Sequence, residues 1–261
     1  NSKVETLVNN GVLKGTGTDV QHGGILVASS VTNITNNKTI EGKNGIVVRN
    51  GGKVGTIINE NSITGVANGI YLNNATIGSI INRGTIQGSN TGTIMAALMT
   101  SGSTVDNFNN SGFMSGIWGI AINDNGRINT LINTGTIIGE EGGIDVSYGK
   151  YGDIEIKEGG KVIGITDNAI QVGQWQTMGA LTIEGKNTEV IGKMNGLYIG
   201  VGSQSTTINI KDRAKLLGEE AGIYVDFGTL SGSTVIDNAT VHGNIAGIYF
   251  SRKSELKGTL E

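Results

Sequence analysis

The sequence predicts an all-β chain, a right-handed parallel β-helix of about ten coils with roughly 25 residues in each. Three observations carry this. The first is a short phrase, apolar-x-Gly, with its glycine at Gly15, Gly42, Gly65, Gly88, Gly116, Gly139, Gly164, Gly192, Gly218 and Gly243. The first and last lie 228 residues apart over nine intervals, and the residue two before each is Leu, Ile, Met or Val. The second is an alternating segment after each glycine, as in Ile46/Val48, Ile70/Leu72 and Ile223/Val225, which points two side chains inward and one outward. The third is composition. The 261 residues hold 44 Gly and 28 Asn, no Pro, and 5% aromatics.

Each alternative fails on a physical point. Collagen needs a three-residue Gly period with Pro, and disordered chains lack the Ile and Val found throughout this one. Helical solenoids need longer repeats and helix-period apolar stripes. A coil of three short strands instead stacks on its neighbours at ~4.8 Å, so ten coils make a rod roughly 50 Å long. Identical neighbours fill such a core without large aromatics. The lack of Pro fits as well, because the strand N–H groups must donate to the next coil.

Along each coil the first strand comes first. In six coils it reads apolar-x-x-apolar-x-Asn, ending at Asn9, Asn36, Asn59, Asn82, Asn110 and Asn133, each six residues before its glycine. One Asn per coil at one turn predicts a stacked amide ladder, in a residue that also tolerates left-handed backbone. Asn187 and Asn195 fall outside this register. In later coils the position six before the glycine becomes Glu158, Lys186, Asp212 and Asp237. Charge changes at the same place. Residues 1–139 hold 8 basic and 6 acidic side chains, and residues 140–261 hold 11 and 16. The glycine phrase crosses the junction unbroken, so 1–261 is predicted as one β-helix with two kinds of coil.

Phrases such as Asn82-Arg-Gly-Thr-Ile-Gln-Gly88 and Asn133-Thr-Gly-Thr-Ile-Ile-Gly139 resemble the repeats of classical autotransporter passengers. The resemblance covers essentially all ten coils. It implies export across the outer membrane of a Gram-negative bacterium and a C-terminal translocator barrel in the full-length chain. It also implies a place on the cell surface or in the medium, and a role as an adhesin or, in the vacuolating-toxin-like branch, as a toxin. The chain begins with Asn, as a processed fragment would. Two-partner-secreted haemagglutinins and phage tailspikes use similar coils.

Chemistry is sparse. With no Cys there is neither thiol catalysis nor a disulfide frame. His22 and His242 are nine coils apart, and no Gly-Asp-Ser-Gly phrase is present. Glu140-Glu141 and Glu219-Glu220 stand three coils apart, about 14 Å, too far for a cleaving carboxylate pair. Asp212 and Asp237 fall on adjacent coils, where a solvated turn is favoured over a calcium site that needs six or more oxygens. Gly51-Gly52-Lys53 and Gly159-Gly160-Lys161 lack the Ser/Thr of a phosphate loop. A net charge of −3 argues against a nucleic-acid partner, and no apolar run spans a bilayer.

Aromatic placement is more telling. The outward position of the last strand reads Leu26, Val47, Tyr71, Met95, Ala121, Asp145, Gln171, Tyr198, Tyr224 and Tyr249, which stacks three tyrosines on one face. The following turn carries Tyr148, Tyr151, Trp175 and Phe227. Trp118 reads equally as a turn or a packing residue. The expectation is a non-enzymatic adhesin, without cofactor or metal, that binds a protein or glycan on host or bacterial cells. Its candidate binding residues are Tyr148, Tyr151, Trp175, Tyr198, Tyr224 and Tyr249. A toxin-like passenger is the alternative, and a polysaccharide-cleaving enzyme or tailspike the third reading.

Overall fold

A computed structural model describes residues 3–19, 21–89 and 95–261. It is a parallel β-solenoid of about 10 turns with about 25 residues per turn. Among the described residues there is no helix, and so none long and apolar enough to cross a membrane. Coil three shows the plan, with strands Lys53–Asn59, Ser62–Gly65 and Ile70–Asn73. First strands pair from coil to coil in one sheet, and second and third strands form the other. In coils five and six the second and third strands run on as one, Phe113–Asn123 and Thr136–Val146.

The pairing is in register, so like lies on like. Val31, Val54, Ile77, Val105 and Ile128 form one inward column, and Ile34, Ile57, Ile80, Phe108 and Leu131 another. Almost all of these side chains are fully buried, each contributing on the order of 1.5–3 kcal/mol by leaving water. The recurrent glycines mark a corner where the chain doubles back. A Cβ at Gly65 would lie 1.7 Å from the Asn68 carbonyl oxygen, and one at Gly139 1.8 Å from that of Gly142. Close approach, with φ in the ordinary negative range, is what requires glycine there.

The six asparagines form the predicted ladder. Each Nδ2 donates to Oδ1 of the next coil's Asn: Asn9 to Asn36 at 2.7 Å, Asn36 to Asn59 and Asn59 to Asn82 at 2.8 Å, Asn82 to Asn110 and Asn110 to Asn133 at 2.7 Å. All six are buried. None has positive φ, so it is the amide that the position needs, not left-handed tolerance. In these coils the left-handed asparagines are Asn50, Asn74 and Asn125, which close a different corner.

Beyond coil six the structure corrects the alignment. The residue in register with Asn133 is Ile156, followed by Ile183, Ile210 and Ile236, not Glu158, Lys186, Asp212 and Asp237. The corner between this residue and the glycine is one to three residues longer. It closes on its own backbone, with Gly160 N donating to Lys157 O at 2.9 Å and Glu158, Asn187, Asp212 and Asn238 left-handed. A corner that satisfies its own carbonyls has no use for a buried amide, so the column turns apolar. Asp237 consequently pairs with Lys211 in the ladder, not with Asp212.

A second, shorter amide column lies at the glycine corner. Asn68 Nδ2 donates to Asn44 Oδ1 at 3.0 Å, and Asn195 Nδ2 to Asn168 Oδ1 at 2.8 Å. The freed oxygens accept the backbone N–H of Ala96 and Ala221. Asn195 is therefore a ladder residue, contrary to its sequence reading.

Asn82→Ala strips Asn110 Oδ1 of its donor and Asn59 Nδ2 of its acceptor in the next Asn, and a cost of about 1–3 kcal/mol is expected in urea denaturation. Asn195→Ala should cost a comparable amount, whereas exposed Asn107→Ala should stay within ~0.5 kcal/mol. Equal losses at Asn82 and Asn107 would refute the ladder's role.

Candidate functional site: a tyrosine-lined groove on the third strands

The third strands set one outward residue per coil in a continuous column: Leu26, Val47, Tyr71, Met99, Ala121, Asp145, Gln171, Tyr198, Tyr224, Tyr249. Met99, not Met95, holds the fourth coil's place, because the third strand there begins only at Ala96. The middle of the column is covered. Met99 and Ala121 pack with Ala96, Ile117 and Trp118 into a small cluster outside the main core. Trp118 is thus a strand packing residue whose ring lies over Gly142, where a Cβ would meet it at 2.3 Å.

The C-terminal end of the column is open. Tyr198 and Tyr224 meet edge to face with ring centroids 5.7 Å apart, and Tyr224 and Tyr249 are tilted at 5.0 Å. Such pairs contribute about 0.5–1.5 kcal/mol each, so the rings hold one another in place. A cavity of about 590 Å³ runs beside them, lined among others by Tyr148, Asp167, Gln171, Tyr198, Tyr224 and Asp226. A smaller one of about 190 Å³ continues it past Tyr224 to Ile245 and Tyr249.

Two aromatics on the adjoining turn are held against backbone preference. Trp175 and Phe227 are left-handed, with φ of 61° and 52°. Coils two, three and five place Asn or Asp at this corner. For a bulky residue the conformation costs on the order of 1–2 kcal/mol. Burial does not repay it: Trp175 is 74% exposed and Phe227 42%. The Trp175 ring also rests over Gly202, which leaves no room there for a side chain.

Tyr151 is not part of this surface. It stands in the first strand of coil seven, in register with Ile128 and Met178, and is 3% exposed in the core. The chain after Tyr148 needs only one more residue before the next strand begins at Lys150, so the turn is shorter than its aromatic content suggested. The Tyr151 hydroxyl has no hydrogen-bond partner, and burial raises its pKa well above the usual value.

Carboxylates border the groove. Asp145 is buried beside it and accepts a short hydrogen bond from Ser147 Oγ, which in turn accepts Gln171 Nε2 at 3.2 Å. Burial first, then the nearby charges of Asp167 and Glu141, push its carboxyl up to about 6 against the donation from Ser147. Asp167 Oδ1 accepts the backbone and side-chain amides of Asn168 at 2.8 and 2.7 Å. Asp226 accepts the Tyr198 hydroxyl at 3.0 Å and Ser251 Oγ at 2.9 Å. Burial, with Asp226 adding to it, raises the pKa of both Tyr198 and Tyr224.

The structure thus brings together four of the six aromatics named from sequence, Tyr148, Tyr198, Tyr224 and Tyr249, sets Trp175 on the adjoining turn, and removes Tyr151. The sequence reading missed Asp167 and Asp226 as groove residues. Both follow a strand or glycine corner at a spacing fixed only by the fold, so no local signal marked them. Glu140 and Glu141 stay three coils from Glu219 and Glu220, through the register Gly139, Gly164, Gly192, Gly218. No three His, Asp or Glu side chains converge on a metal-sized site among the described residues. A second depression of about 570 Å³ lies over the glycine corners of coils one to four, but it has no aromatic lining and its Glu41 is paired with Lys14 at 2.8 Å. No known family model, curated protein or solved structure matches the chain.

Two stability measurements check this description. Tyr151→Phe removes an orphaned buried hydroxyl, so unfolding should become harder by about 1 kcal/mol. For Asp145 the folded chain holds the proton more tightly than the unfolded one. Its contribution is therefore full below the ordinary carboxylate value of 3.8 and is lost as the pH rises through about 6. Asp145→Asn should match the parent near pH 4 and exceed it by roughly 2 kcal/mol at pH 7.5. A difference that shrinks with rising pH would contradict the assignment.

Proposed function

We propose that the chain is the passenger part of a non-enzymatic bacterial surface or secreted protein, an adhesin whose β-helix carries a binding face on its second half. The observation that carries this reading is the pair Trp175 and Phe227, exposed in left-handed backbone at a corner where coils two, three and five use Asn or Asp and coils four and eight use Gly. A bulky residue kept where it costs stability and stays largely open to solvent is accounted for by contact with something outside the chain. The tyrosine column beside it supplies rigid aromatic area of the kind that dominates binding interfaces. The repeat resemblance supports export and a cell-surface or extracellular location, with a protein or glycan on host or neighbouring cells as partner.

The test is adhesion. Trp175→Asn combined with Tyr224→Ala should leave the circular dichroism of the β-helix unchanged and weaken cell binding by about 2 kcal/mol or more. Unchanged binding by the folded double variant would remove this face from the proposal. One observation favours a second reading, a polysaccharide-cleaving enzyme: Asp145, raised to about 6 and next to Asp167, is the sort of carboxyl that serves as a general acid. Release of reducing ends from a polysaccharide, abolished by Asp145→Asn, would establish it instead.

A further inference from the structure

We infer that the groove beside Tyr198 and Tyr224 receives a cationic side chain, Lys or Arg, on a basic segment of a protein partner. This deepens the adhesin reading and rests on it. The first observation is charge without countercharge. Asp167 and Asp226 line the groove, Asp145 lies beside it and Glu220 lines its extension, and no Lys, Arg or His is in either lining. Among the described residues none of these four carboxylates is in an ion pair. On the neighbouring faces of the same coils the opposite holds. Glu189 sits between Lys161 at 2.9 Å and Lys215 at 3.0 Å, Glu184 pairs with Lys211 at 2.9 Å, and Glu219 with Lys193. Five other second-half carboxylates, Glu155, Glu184, Glu189, Glu219 and Glu255, each have a Lys partner, whereas the four around the groove have none among the described residues.

The second observation is how these acids are held. Asp226 accepts from Tyr198 and Ser251, and Asp167 from Asn168, all neutral donors. Neutral donors orient a carboxylate without cancelling its charge. Burial raises the pKa of Asp145, Tyr198 and Tyr224, and neighbouring carboxylates add to each of the three shifts.

The third is the aromatic wall. A guanidinium or ammonium within ~6 Å of a tyrosine ring is attracted to its face, more strongly where water is partly excluded. The aliphatic stem of Lys or Arg needs apolar surface beneath it, which Met194 in the groove and Ala221 and Ile245 in its extension provide. A sulfated or uronic-acid glycan would meet uncompensated like charge in the same place.

The test is calorimetric titration of the folded chain with a penta-arginine peptide, with a neutral N-acetylglucosamine oligomer and with a heparin fragment. Binding of the peptide alone, weakening with added salt, is expected. Asp167→Asn with Asp226→Asn should reduce affinity at least tenfold. Asp237→Asn with Glu255→Gln removes the same charge away from the groove and should leave affinity unchanged. Should Asp226→Asn disturb the fold through Tyr198 and Ser251, Asp167→Asn alone serves, with a loss of at least threefold. Equal losses from the two double variants would mean non-specific attraction and overturn the inference. Binding of the neutral oligomer instead, abolished by Tyr224→Ala, would overturn it and leave the adhesin reading standing. Absence of any peptide binding, with cell adhesion still dependent on Trp175 and Tyr224, would do the same. If cell adhesion is also indifferent to Trp175 and Tyr224, both readings fall.

Discussion

Strand backbone hydrogen bonds that run between coils and never within one are the constraint on which the rest depends. A strand of coil three has no partner within its own coil; its N–H and C=O groups are met by coils two and four. Any change of register would move a whole face from core to solvent, so each coil must repeat its neighbour's pattern of inward and outward residues. From this follow the columns of Ile and Val, the lack of proline, and the corner glycines, which are needed where the Asn68 and Gly142 carbonyls approach. It also separates two kinds of position. Inward residues are dictated by the coils above and below. Outward residues on the third strand are dictated by nothing in the stack, which is why Leu26, Asp145 and Tyr224 can occupy one column.

What the sequence made legible divides along the same line. The fold was readable because stacking forces a visible period, and Asn82 was readable as a ladder member because five other coils repeat it. Errors came where the period changes. Counting back from the glycine placed Glu158 opposite Asn133, although the corner had lengthened and Ile156 had taken the inward position. Tyr151 looked like one more turn aromatic because a tyrosine replaces the usual Val or Ile of that core column. Asn195 was hidden because its column has few members and is interrupted. Within the groove, the tyrosines were legible as a column, whereas Asp167 and Asp226 reach it from corners whose geometry no local pattern encodes.

Charge follows a parallel logic. The first half meets its corner requirement with neutral amides and carries few ions. The second half has self-closing corners, so its sheet surface is free to carry Lys–Glu pairs such as Lys161–Glu189–Lys215 across three coils. Exposed pairs of this kind contribute little stability each, and Glu189, held low first by its bond to Lys161, is the best shielded of them. Beside those pairs the groove gathers carboxylates with no Lys or Arg in its lining.

The amide ladder has a direction. Every Asn from Asn9 to Asn110 gives a hydrogen to the coil that follows, every one from Asn36 to Asn133 takes one from the coil before, and Asn133 ends the line by donating to the Lys161 carbonyl at 2.9 Å. Each coil therefore brings one donor and one acceptor to the column. Delete or duplicate an entire coil and the two ends meet again with nothing left over. Replace a single asparagine and a donor and an acceptor are stranded on different coils. In the first half of this molecule the tolerated unit of change is thus the coil and not the residue, and the chain can grow or shrink there only in whole turns.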